Sequence, residues 1–146
     1  MTDQYADTLY IEDVEEGDTA PEIVSDELTR PDFVRYAGAS GDFNPIHYSE
    51  PYAKGAGFDS VFAQGMFTAG FLSHMVSDWV GLEHIDLYRT RFVAQVWPGD
   101  VISTGGRITE VDAATGHIRA SVWVENQDET HVIDGSVEAT LPSRSE

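Results

Sequence analysis

The sequence contains no cysteine, so no disulfide is possible, which fits a reducing compartment. Basic residues are almost as scarce. Lys54 is the one lysine, and with Arg30, Arg35, Arg89, Arg91, Arg107, Arg119 and Arg144 it faces 26 carboxylates, leaving a formal net charge of −18. Such a chain repels nucleic-acid phosphates and anionic membrane surfaces, so neither is expected as a partner. The N-terminus, Met1 to Asp7, lacks the basic start and apolar core of a secretory signal, and no myristoylation glycine or prenylation cysteine is present. No apolar run reaches the roughly 20 residues of a membrane span. No repeat, long linker or two-histidine-plus-carboxylate cluster occurs, so the reading is one cytoplasmic domain working without a metal. That domain spans residues 1–146, with 1–8 and 142–146 expected as frayed tails.

What is present concentrates in Ala39 to His47. Gly41, Asn44 and Pro45 mark a turn, because glycine admits positive φ, asparagine tolerates it, and proline fixes its own φ and extends Asn44. Asp42 and His47 stand five positions apart on this turn, where a loop that doubles back brings carboxylate and imidazole onto one small molecule such as water. That pair suits moving a proton on and off water. The blander role for Asp42 and Asn44 is to stabilise the turn through their own backbone. Upstream, Thr29-Arg30-Pro31-Asp32 reads as a helix start, with Thr29 as N-cap and Asp32 in the first turn. Phe33, Tyr36 and Ala37 recur at helical spacing. Ser49 caps a second short helix through Ala53, stopped by Gly55 and Gly57.

A third helix is predicted over about 65–79. Met66, Phe67, Ala69, Phe71, Leu72, Met75, Val76 and Trp79 leave no wide polar face, which marks a helix buried nearly all round. Ser73, His74 and Asp78 argue against a membrane span. Glu22 to Ser25 has short β character, and residues 86–140 read as strands, with a hairpin loop at Asp112 to Gly116. Ile118, Ala120, Val122 and Val124 alternate with Arg119, Ser121, Trp123 and Glu125, so one face is buried. The fold class is therefore α+β, with one antiparallel sheet wrapped around the apolar helix.

Tyr36 to His47, read as YAGASGDFNPIH, resembles the signature of the MaoC-like, R-specific enoyl-CoA hydratase family, also called hydratase 2. The order of features from about Leu28 to Asp100 follows the same family, which implies a single hot-dog domain. It also implies reversible, (R)-specific hydration of a trans-2-enoyl-CoA to the (3R)-hydroxyacyl-CoA, with Asp42 and His47 activating one water. Which of the two is base and which acid stays open. Backbone N–H groups of Gly65 and Met66, at the positive end of the helix, would hold the thioester oxygen. Gln64 stands where many relatives have histidine, a departure that leaves the backbone donor intact. Asn44 and Ser73 are supporting positions, Ser73 lying about two turns along on the face of Gly65 and placed to orient Asp42. Phe58 and Phe62 are tunnel-lining candidates.

No cofactor is implied beyond the CoA thioester substrate, whose phosphates Arg35, Arg89 or Arg91 would receive. A homodimer with sheets joined edge to edge is implied as well. Three rivals stand beside this reading: a (3R)-hydroxyacyl-ACP dehydratase of fatty-acid-type synthesis, a thioesterase, and a non-catalytic acyl-binding subunit of a heteromeric hydratase. Abundant Asp and Glu with one lysine resembles proteins of salt-loving archaea, where supply of hydroxyacyl units to polyhydroxyalkanoate is an attractive role.

Overall fold

The computed structural model describes residues 7–145. Three helices precede four strands: α1 (Arg30–Ser40), α2 (Glu50–Gly55), α3 (Gly65–Val80), then β1 (Ile85–Phe92), β2 (Ser103–Asp112), β3 (His117–Glu125) and β4 (His131–Thr140). The strands pair as one antiparallel sheet in the order β1-β4-β3-β2. Alternation sets its two faces. Ile118, Ala120, Val122 and Val124 of β3 are buried, as are Val137 and Ala139 of β4. On this face lies α3, whose Leu72, Met75 and Val76 belong to the same core cluster. This is the α+β hot-dog arrangement that the sequence predicts.

Local chemistry explains α1 and its exit. The Asp32 carboxylate accepts from both the backbone N–H and the hydroxyl of Thr29 at 2.8 Å, closing the helix start. Gly41 ends the helix at φ 76°, its N–H donating to Ala37. That left-handed residue turns the chain sharply at low cost because it has no Cβ. Phe33 is fully buried, contributing about 1.5–3 kcal/mol against about 1 kcal/mol for the cap. Packing therefore decides where α1 lies, and the cap decides where it begins.

Three expectations need correction. Helix α3 is not buried all round: Thr68, Ala69, Leu72, Met75, Val76 and Val80 face the core, while Met66, Gly70, His74 and Asp78 form an exposed stripe at four-residue spacing. Four strands cover one side of a helix, not its whole circumference. The expected strand over Glu22 to Ser25 is reduced to an isolated bridge from Val24 to Ser103, although residues 17–25 do run along the outer edge of β2 through bonds such as Ala20 N–H to Gly106 O. Nor is the C-terminal stretch frayed up to residue 145. Ile11 N–H donates to Pro142 O at 3.0 Å, and Arg144 makes a two-pronged contact with Asp13 at 2.6 Å. Residues 1–6 and 146 of the expected tails lie outside the described residues. Among the described residues no helix is long and apolar enough to cross a membrane.

Candidate active site

The turn after α1 brings Asp42 and His47 together. Asn44 accepts from Ile46 N–H at 3.2 Å and so caps the 3-10 turn Pro45–His47, which carries the imidazole inward. His47 is 6% exposed. Its Nδ1 lies 2.8 Å from the carbonyl oxygen of Phe62. A carbonyl only accepts, so Nδ1 carries the proton and a neutral ring presents a bare Nε2. That Nε2 stands 3.6 Å from Asp42 Oδ2, beyond direct hydrogen-bond length. Two acceptors converging across such a gap suit a water that donates to both. Asp42 is held from the other side by Asn44 N–H, at 3.3 Å from Oδ1, and stays about half exposed.

The extended segment Val61 to Gln64 connects this pair to the start of α3. Its residues reach in different directions: Phe62 O accepts from His47, Ala63 N–H donates to Val96 O at 2.8 Å, and Gln64 Nε2 donates to Phe33 O at 2.9 Å. At the helix start, the N–H groups of Gly65 and Met66 have no partner among the described residues, as the first turn of a helix dictates. A side chain at Gly65 would bring its Cβ to 3.0 Å from the Phe92 ring, so glycine permits the close approach of that ring. Beside it opens a cleft of about 300 Å³, lined by Phe62, Gly65, Thr68, Phe92, Val96 and Ile133 among others. The lining is chiefly apolar.

The remaining expected residues divide. Phe62 lines the cleft and meets the His47 ring edge-on at 5.3 Å, whereas Phe58 packs behind it at 4.7 Å and is not part of the lining. Asn44 shapes the turn. Ser73 does not reach Asp42 by any hydrogen bond among the described residues; its hydroxyl donates to Gly70 O at 2.7 Å, the back-bonding open to any helical serine. Arg35 pairs with Asp32 at 3.4 Å. Arg89 and Arg91 are exposed and meet no carboxylate within 4 Å among the described residues. The other histidines pair with carboxylates: His74 with Asp78, His84 with Glu83, His117 with Glu138 and His131 with Asp134. No cluster of three metal-ligating side chains occurs among the described residues. Sequence reasoning missed Thr68 and Phe92 as lining residues, and gave Gln64 no side-chain role. Nothing in a single Thr, Phe or Gln distinguishes cleft from core.

Comparison with known proteins sets the fold in a family. A model of the MaoC-like domain matches residues 14–133. The 3-hydroxybutyryl-CoA dehydratase of Methylorubrum extorquens is 32% identical over 140 residues, covering 94% of this chain and 87% of that protein. The (R)-specific enoyl-CoA hydratase of Rhodospirillum rubrum is 31% identical over 103 residues, covering 68% of this chain and 69% of its own length. Among solved structures, the unliganded R-hydratase PhaJ1 from Pseudomonas aeruginosa superposes with a TM-score of 0.81 at 27% identity, over 94% of this chain and 88% of that one. A family model matched over most of the chain, together with those relatives, shows that the chain belongs to the MaoC-like domain family of hydratases and dehydratases and is a hydro-lyase.

Proposed function

We propose that this protein catalyses reversible (R)-specific hydration of a trans-2-enoyl-CoA to the (3R)-hydroxyacyl-CoA. The observation that carries the reading is the 3.6 Å gap between Asp42 Oδ2 and His47 Nε2, with the other ring nitrogen committed to Phe62 O. A water beside that pair, within hydrogen-bond reach of both atoms, is stripped of a proton as its oxygen bonds C3 of the substrate. The electron pair of the double bond moves toward the thioester, and negative charge builds on its carbonyl oxygen. The N–H groups of Gly65 and Met66 receive that charge. A proton then reaches C2. The proton removed from water equals the one delivered, so the Asp42–His47 pair ends the cycle as it began. His47 Nε2 suits the acceptor role because its lone pair is free, and Asp42 suits holding and steering the water's second hydrogen. No cofactor is needed, since backbone donors polarise the carbonyl.

A homodimer joined edge to edge fits the same reading. The outer edge of β2 is covered by residues 17–25, whereas β1 pairs only with β4 among the described residues. Met66, Phe92 and Val93, near that open edge and the cleft, are 62%, 53% and 39% exposed in the single chain. Apolar side chains so placed suit a covering partner.

The test is purified protein with crotonyl-CoA in high and low KCl, following loss of enoyl absorbance and the chirality of the product. Asp42→Asn and His47→Ala are expected each to lower kcat by about 10²–10⁴, more than they weaken binding. A folded but inert wild type in both salts sinks the CoA reading. Activity confined to substrates on acyl carrier protein moves the assignment to a synthetic dehydratase.

A further inference from the structure

Gln64 is a polar residue that the mechanism above leaves idle, and at 1% exposed it is the most deeply buried of the polar side chains described. Its Nε2 donates to Phe33 O at 2.9 Å, which fixes the orientation of the amide. The Oε1 that remains is buried without a hydrogen-bond partner among the described residues. An unsatisfied buried acceptor costs the fold its full desolvation penalty, and an apolar side chain of similar volume carries no such cost. For stability alone, then, leucine is the better residue. What glutamine adds is one donor, aimed at one carbonyl.

That carbonyl belongs to α1, the helix that delivers Asp42. The next residue after Gln64 is Gly65, whose N–H is a proposed receiver of the thioester charge. Two positions before it, Phe62 O accepts from His47. The segment from Phe62 to Gly65 therefore carries three fixtures of the reaction in four residues. It grips the imidazole by Phe62, the helix that leads to the carboxylate by Gln64, and the substrate oxygen by its own end. Of these, the grip on α1 is a single side-chain hydrogen bond.

We infer that Gln64 is a positioning residue, setting Asp42 against His47 and the α3 donors by holding Phe33 O. This inference rests on the hydratase reading for its kinetic readout. Phe33 is fully buried and keeps α1 on the core whatever stands at position 64, so what the donor controls is the register of the helix rather than its attachment. The site needs the donor and not the acceptor, so any side chain that places an N–H there serves. Small displacements suffice, because proton transfer to a bound water depends steeply on geometry.

The experiment compares Gln64→Leu, Gln64→His and Gln64→Met in the full chain. Each is assayed for kcat and KM with crotonyl-CoA and for the ¹⁵N signals of the His47 ring. Leucine is expected to lower kcat at least about tenfold while KM stays within about twofold, and to shift the His47 signals. Histidine, which keeps a ring N–H, is expected to regain most of the rate. Methionine, of similar volume and with no donor, stays slow. A leucine variant that folds with unchanged kcat and unchanged His47 signals overturns the inference, as does a histidine variant no faster than methionine. If leucine prevents folding, the histidine–methionine contrast decides. An inert wild type sinks the hydration reading instead, and the His47 signals alone then decide the role of Gln64.

Discussion

A histidine with one ring nitrogen tied to a backbone carbonyl is a one-sided reagent. In His47 the tie to Phe62 O leaves Nε2 as the single exchangeable position, so the site holds a defined tautomer before substrate arrives. Tyr88 shows the opposite use of a titratable group. Its hydroxyl donates to Ala69 O at 2.9 Å, joining β1 to α3, and burial pushes the phenol up to about 12. An unfolded tyrosine ionises near 10, so between pH 10 and about 12 the unfolded chain has lost a proton that the folded chain keeps. Stability from this group is whole below pH 10 and drains away as pH rises through 12. Thermal melts at pH 8 and pH 11 should show a smaller alkaline loss in Tyr88→Phe than in the wild type. Equal losses would place the alkaline weakness elsewhere. The convergence of Asp42 and His47 was legible because Gly41, Asn44 and Pro45 force a local turn whose geometry needs no distant contact. Ser73 was not. Helical phase reports which way a hydroxyl points, and says nothing of whether it bonds its own helix.

At the scale of elements, α1 couples a surface feature to the site. Asp32 sits in its first turn, and the two hydrogen bonds from Thr29 hold its carboxyl below the usual carboxylate range. A depressed folded pKa contributes stability above the ordinary value and loses it as pH falls below about 4. Asp32→Ala is expected to cost about 1 kcal/mol at pH 7, a fall of roughly 2–4 °C in Tm. At pH 3 the difference from wild type should shrink, and a difference that grows with acid contradicts the cap. The start of α1 and the extent of α3 were readable because capping chemistry and apolar periodicity are local. The exposed stripe of α3 was unreadable, since composition does not record how many sides of a helix a sheet covers. The first strand failed for a related reason. Residues 17–25 reach β2 by scattered bonds, and β character alone does not distinguish a ladder from isolated bridges.

For the whole molecule, charge dominates. The ion pairs that form are exposed, such as Arg30–Glu50 at 3.1 Å and Lys54–Glu50 at 3.1 Å, and each contributes only about 0–1 kcal/mol. Against them stands a net charge of −18 in one short chain. Raising salt from about 0.1 to 1 M contracts the screening length from about 10 to 3 Å, which weakens self-repulsion more than it weakens the few pairs. Melting temperature is therefore expected to climb with KCl, and sedimentation to show the proposed dimer strengthening in the same titration. A melting temperature indifferent to KCl would mean that repulsion is not what limits stability.

The chain leaves the site at His47 and returns to it at Phe62. Between them α2 and its flanking loops make a detour, fastened back to α1 where Arg30 meets Glu50 and Ser60. The two ends are tied to each other by the His47–Phe62 hydrogen bond, so the length and composition of what lies between them do not set it. Residues 48–60 are in this sense the evolvable part of the molecule. None of these residues lines the cleft, so insertions and exchanges there can remake the surface beside it while Asp42 and His47 stay where they are, and a designer wanting to graft a new loop has a segment to rewrite.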